Sequence, residues 1–401
     1  IHVGYNSDVS LLTKEAKMLT SRERVFRAFC LEEPDKVPVF EQEIQPPVSD
    51  MLLGRICSLA DKRLNIRILE RGYLSTSLLE QMVKDHIELA TELNLDAVNV
   101  SANMRPGKCE AIKRISAREW VNERGTIRYS LVGDRSYRVD LRIREKGKEG
   151  LRERIEELRE PIDICPDDFY VLRRVKHEIE RRNLDLFVFT ASVVFDWHGA
   201  GWTDLALKWL LTEPGLMHKY LDAYNRRAIG FVKAAIDFGA EGVLDGGDLA
   251  YRHGPMISPK AYVEFILPYQ KRRVDTFHRK GAFVVNRSDG WIWPIAHDFL
   301  ENSGVDGYCE IDKSAGMDLG ELKEVYGDRL CLLGNVNCAG ALVNGTTGDV
   351  TKETEECIQK AAPGGGYILC SSNVIHSHVR PENYLAMLDA CRKCGKYGYL
   401  A

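Results

Sequence analysis

No run of about 20 consecutive apolar residues occurs in the chain, so a membrane-spanning helix is not expected. Residues 1–17 lack the apolar core of a secretory signal, and read as an N-terminal arm before a single domain spanning 18–401. Cytoplasm is the expected compartment. A surplus of cations is missing too: 55 Lys and Arg against 59 Asp and Glu leave a net charge of −4. That balance predicts no nucleic-acid partner and no membrane partner held by bulk charge. No G-x-G-x-x-G follows an apolar run, which removes the ordinary dinucleotide fingerprint. H-x-C and H-E-x-x-H are absent, and no metal triad is legible from spacing. His376-x-His378 is a weak signal on its own. The 11 cysteines are odd in number and scattered, which predicts reduced thiols rather than a disulfide framework. Cys391 and Cys394 form a lone C-x-x-C, read as structural.

What is present is an alternation of short apolar runs with helical patterns. Runs ending near Phe40, Val100, Phe189, Leu244, Val285, Cys309, Gly334 and Cys370 read as strands buried on both faces. Helical stretches separate them, several with clear start signals. Thr20 and Glu23 form a capping box, and Ser258-Pro259 places an N-cap before a proline at the first helical position. Eight strands with intervening helices predict a (β/α)8 (TIM) barrel. Pro38 marks the first strand as poorly paired. Residues 125–141 alternate around Gly133-Asp134 and predict a small β-hairpin insertion within 101–150. The charged residues 143–160 read as a solvated surface segment. Gly364-Gly365-Gly366 precedes a strand rather than opening a helix, so it reads as a tight turn, not a phosphate loop.

In a parallel barrel the residues after each strand gather at one face, where ligands bind. Here they are rich in carboxylates: Glu41, Glu43, Asp245, Asp248, Asp289, Glu310 and Asp312. Crowded carboxylates persist by binding metal, pairing with Arg or sharing protons. The same ends carry Arg287, the amides Asn99, Asn103, Asn286, Asn335, Asn337 and Asn373, and His198, His253 and His376 further out. Asp289 and Glu310 end neighbouring strands and are the expected catalytic pair, with His253 as a further candidate. Arg287, Asn286, Glu43, Asp245, Asn335, Asn99, Asn373 and His376 are the expected substrate-binding residues. Arg287, if it reaches Asp289, holds that residue charged and leaves Glu310 as the acid.

Several motifs resemble the uroporphyrinogen decarboxylase superfamily. They include residues 19–25 with 33–39, Ile257 to Tyr262 leading to Pro268-Tyr269, Asp289-Gly290 with Trp293-Pro294-Ile295, and residues 304–306, 316–319 and 326–330. Gly334-Asn335-Val336, residues 362–367 and residues 380–383 complete the set. The resemblance runs from about residue 18 to the C-terminus, weakest across 101–160, and it implies a (β/α)8 barrel. Decarboxylases of that superfamily carry an Arg-rich segment after strand one, an Asp after strand two and a His after strand eight. Here those regions read Phe40-Glu41-Gln42-Glu43, Ser101-Ala102-Asn103 and Ser371-Ser372-Asn373, and two glutamates would repel an octa-carboxylate. The zinc-thiol methyltransferases carry H-x-C after strand five and a Cys before strand eight. Arg287-Ser288-Asp289 and Gly365 stand there instead, and Arg cannot ligate zinc. Any metal would then draw its ligands from Glu41, Glu43, Asp245, Asp289, Glu310 or His376. The implied activity is methyl transfer from a small O- or N-methylated substrate to a corrinoid (cobalamin) on a partner protein, as in demethylation systems. The alternatives are a decarboxylase or lyase acting on a small acid, and a non-catalytic ligand-binding barrel. A homodimer is compatible with the sequence.

Overall fold

The computed structural model describes residues 18–101, 104–133 and 135–399. Seven parallel strands form one sheet: Ala97–Asn99, Phe187–Ala191, Gly242–Gly246, Phe283–Arg287, Gly307–Cys309, Cys331–Leu333 and Tyr367–Ile368, hydrogen-bonded in chain order. Residues 37–40 close it. The Phe40 amide donates to the Leu369 carbonyl at 3.0 Å, and the Asp96 amide donates to the Val39 carbonyl at 2.8 Å. The pairing there is an isolated parallel bridge, as Pro38, lacking an N–H, requires. The protein is a (β/α)8 barrel. Among the described residues no helix is long and apolar enough to cross a membrane.

The barrel interior is a small apolar cluster that includes Phe40, Phe187, Phe189, Leu244, Val285, Leu333 and Ile368. Its lower end is plugged by the Ser21–Phe29 helix, whose Val25, Ala28 and Phe29 join the same cluster. Phe29 stacks on Phe283 at 4.7 Å between ring centroids. A buried phenylalanine contributes about 1.5–3 kcal/mol, so the plug seals the end opposite the strand termini where a ligand would enter. The capping box of Thr20 and Glu23 starts that helix. Arg24 then reaches Asp35 at 2.6 Å and Asp96 at 3.2 Å. The motifs at 19–25 and 33–39 are therefore joints between helix, first strand and second strand.

The insertion is larger than a hairpin. Ile127–Val132 and Arg135–Asp140 do form the expected hairpin, but Glu119–Asn122 and Ile112–Arg114 extend it to a four-stranded antiparallel sheet. Residues 143–160 also differ from the expectation. They are mostly helical, over Leu141–Lys146 and Lys148–Arg159, because Leu151, Ile155 and Leu158 make a buried stripe at helical spacing that the charges around it obscure. Asp134 of the expected turn, Asn103 and the arm at 1–17 lie outside the described residues. All 11 cysteines are free, including Cys391 and Cys394. Gly365 sits at φ +80°, and a Cβ there would meet the Glu32 backbone carbon at 2.6 Å, which accounts for the triple glycine as a tight turn.

Candidate active site

Side-chain alternation along a strand decides which end residues face the mouth. Leu244 and Val285 pair in register and both face the interior. Asp245 and Asn286, the next pair in register, must face the helices. Asp245 there meets Arg273, with both side chains fully buried; Arg273 Nε donates to its two oxygens at 3.1 and 3.0 Å. Asn286 accepts from Gln270 Nε2 at 2.6 Å and donates to the Phe299 carbonyl. The expectation that these two bind substrate is thus replaced by a role in fixing helix to strand. One step further, Arg287 returns to the interior beside Gly246. A Cβ on Gly246 would lie 2.4 Å from the Arg287 carbonyl, so glycine allows that close approach.

The residue that ties the mouth together is Gln42, which the sequence reading passed over. Its Nε2 donates to Glu310 Oε1 at 3.2 Å and to the Asn373 carbonyl at 3.2 Å. Its Oε1 accepts from Arg287 Nη1 at 3.3 Å, and its carbonyl accepts from Asn99 Nδ2 at 3.1 Å. Counting two from the inward Phe40 selects Gln42 rather than Glu41 or Glu43. Arg287 lies 3.6 Å from Glu310. Asp289 instead accepts from Asn373 Nδ2 at 3.2 Å. The expectation that Arg287 holds Asp289 charged is therefore corrected: the guanidinium faces Glu310. Glu310 also sits at φ +63°, a left-handed conformation that is costly for a residue with a Cβ and concentrates at functional sites.

Electrostatics separates the carboxyls. Burial, reinforced by Asp248, Glu310 and Asp312, pushes Asp289 up to about 7. Burial also raises Glu310, but Arg287 and the Gln42 amide act against the rise. Glu41 points out of the barrel and receives the Ser371 amide and hydroxyl, each at 2.9 Å. Burial pushes it up to about 8, so it holds a proton at neutral pH. The folded chain then binds a proton that the unfolded chain releases between about 4.5 and 8. Wild-type stability must fall across that window by up to about 1.4 kcal/mol per pH unit. Glu41→Gln, a neutral mimic, is expected to lose this contribution and keep the part that Asp289 adds, so its denaturation midpoints should fall less than those of wild type from pH 5 to 8. Equal slopes in both proteins would refute it.

The remaining candidates spread around the rim. Glu43 pairs with Lys62 at 3.4 Å and accepts from Gln45 at 2.6 Å. Asp312 caps its own turn and accepts from the Gly290 amide at 3.3 Å. Asp248 faces His198 at 3.5 Å. Asn335 is buried and donates to the Met317 carbonyl at 3.4 Å, while Asn337 exchanges bonds with Ser314; both are structural contacts. His376 lies 2.9 Å from the Cys338 carbonyl. It lines a cavity of about 490 Å³ with Asp289, Asp312, Asn373 and the insertion residues Arg135 and Tyr137. His253 is exposed in the turn between Ala250–Tyr251 and Gly254–Pro255, outside that cavity. Among the described residues no three of His, Cys, Asp or Glu are placed to hold a metal ion. Of the six ligands expected for one, Asp245 is bound by Arg273, Glu43 by Lys62 and Glu41 by Ser371.

The family model for uroporphyrinogen decarboxylase (URO-D) matches residues 190–394, slightly more than half of the chain. The chain belongs to the uroporphyrinogen decarboxylase family. Uroporphyrinogen decarboxylase of Pseudoalteromonas atlantica is 24% identical over 193 residues, covering 46% of this chain and 50% of that protein. The enzyme of Nitrosospira multiformis is 27% identical over 201 residues, covering 48% and 51%. The chain spans about half the length of the curated relatives it matches. In structure it is similar to a methyltransferase from Methanosarcina mazei, with a TM-score of 0.65 and 17% identity over 94% of this chain and 99% of that one. That likeness is one of fold, and it extends the barrel assignment over nearly the whole chain.

Proposed function

We propose that the protein is a methyltransferase that moves a methyl group from a small O- or N-methylated compound to a corrinoid carried by a partner protein. The observation that carries the reading is the mouth itself. Asp289, raised to about 7 and in no ion pair among the described residues, can give a proton to a leaving oxygen or nitrogen at neutral pH. The corrinoid supplies the nucleophile when present; the chain's own task is to place the donor and protonate what the methyl leaves. Glu310, Arg287 and Gln42 form the bonded frame that would orient the donor. In this assignment Asp289 takes the role of acid that the sequence reading gave to Glu310. The carboxylate-rich rim also disfavours porphyrinogen carboxylates. A decarboxylase of small acids is the second reading, favoured by the named relatives and by Arg287 as a carboxylate anchor.

A screen of O- and N-methylated compounds with free cob(I)alamin as acceptor tests the proposal. At least one donor is expected to methylate cobalamin in step with its own demethylation. Turnover of a small carboxylic acid with release of CO₂, and no cobalamin methylation from any donor, would replace it with the decarboxylase.

A further inference from the structure

A second cleft lies to one side of the mouth, between residues 41–44, the Ala97–Asn99 strand and the Thr76–Leu93 helix, and encloses about 200 Å³. Met82, Leu89, Val98 and Val171 are nearly fully buried in its wall, and Met104 joins them. An apolar cavity of about 150 Å³ can take up benzene, so this one accommodates a single ring with a small substituent. Thioethers make favourable contacts with aromatic rings, and two line it. Much of its polar lining is already bonded within the protein, Glu41 to Ser371, Gln42 to Glu310, Glu43 to Lys62 and Ser58 to Asp85. His86 lines the cleft with no hydrogen bond from its ring among the described residues, and burial keeps it neutral by pushing it down to about 4. A neutral imidazole offers one donor and one acceptor. At the rim Lys62 is paired with Glu43, so no uncompensated charge waits there for an ion.

We infer that this cleft binds an uncharged single-ring phenol, with the ring among Met82, Leu89, Val98 and Met104 and the hydroxyl on His86. The inference rests on the cleft alone and stands apart from methyl transfer at the mouth. Gln42 lines the cleft and also holds Glu310, so the two sites share one side chain.

Titration calorimetry of the whole chain with phenol, fluorobenzene and benzoate tests it. Phenol is expected to bind one to one, with fluorobenzene weaker by about tenfold, the worth of one net hydrogen bond, and benzoate weaker still. His86→Leu should erase the preference for phenol over fluorobenzene, and Met82→Trp, which fills the cleft, should abolish binding of both. Phenol affinity retained in Met82→Trp, or a preference retained in His86→Leu, overturns the proposal. Because either variant could fold poorly, the wild-type His86 ring resonances provide an independent readout. They should shift on adding phenol, and no shift at saturating phenol overturns it as well.

Discussion

Asparagine in place of Asp289 is expected to lower methyl-transfer turnover by about 10²–10⁴-fold, the range associated with losing a general acid. The Asn373 amide that donates to Asp289 still finds a carbonyl oxygen in the variant, so the fold should survive, and an unchanged melting temperature would show it. The pH profile makes the assignment more specific. Asp289 is raised to about 7 and acts in its protonated form, so the wild-type rate should fall as pH rises through about 7. The variant should lose that limb. Glu310→Gln should cost less turnover and keep the limb, moved to lower pH because Glu310 helps to raise Asp289, since Glu310 faces Arg287 and serves the frame. Reversed results, with the limb lost in Glu310→Gln and kept in Asp289→Asn, would return the acid's role to Glu310.

The largest expected loss of stability lies one layer out. Asp245→Ala strands Arg273 in a fully buried site, and removing one partner of such a pair costs about 3–5 kcal/mol. Asn225 and Ser192 also contact the guanidinium, but neither carries a charge to replace the carboxylate. Chemical denaturation of the variant against wild type measures this. A change within about 0.5 kcal/mol, as at an ordinary surface position, would contradict the burial that the pair implies.

The barrel was legible because its strands are continuous apolar runs. Cys309 and Leu333 are each within a residue of a strand end in both the sequence pattern and the structure, while the strand through Val285 runs on to Arg287. The site was legible only by class of residue. Chemistry singled out Asp245 and Asn286, yet both face the helices, since they fall one step after the inward Leu244 and Val285. The same period of two, applied from Phe40, would have found Gln42. What no local pattern shows is which neighbour Arg287 chooses. That depends on Gln42, 245 positions away in sequence, and on the left-handed turn at Glu310. The motifs that carry the family resemblance report mainly on joints of the scaffold, such as Arg24 with Asp35 and Asp96.

The central claim is that a methyl group leaves the substrate at this mouth. Incubation of the whole chain with cob(I)alamin and isotopically labelled candidates, methyl-labelled in one series and carboxyl-labelled in the other, measures the fate of each label. Label on the cobalt-bound methyl, formed in equal amount with the demethylated product and about 10²–10⁴-fold more slowly in Asp289→Asn, is the predicted result. Label appearing as CO₂ from a small acid, with none on cobalt from any methyl donor, would contradict it.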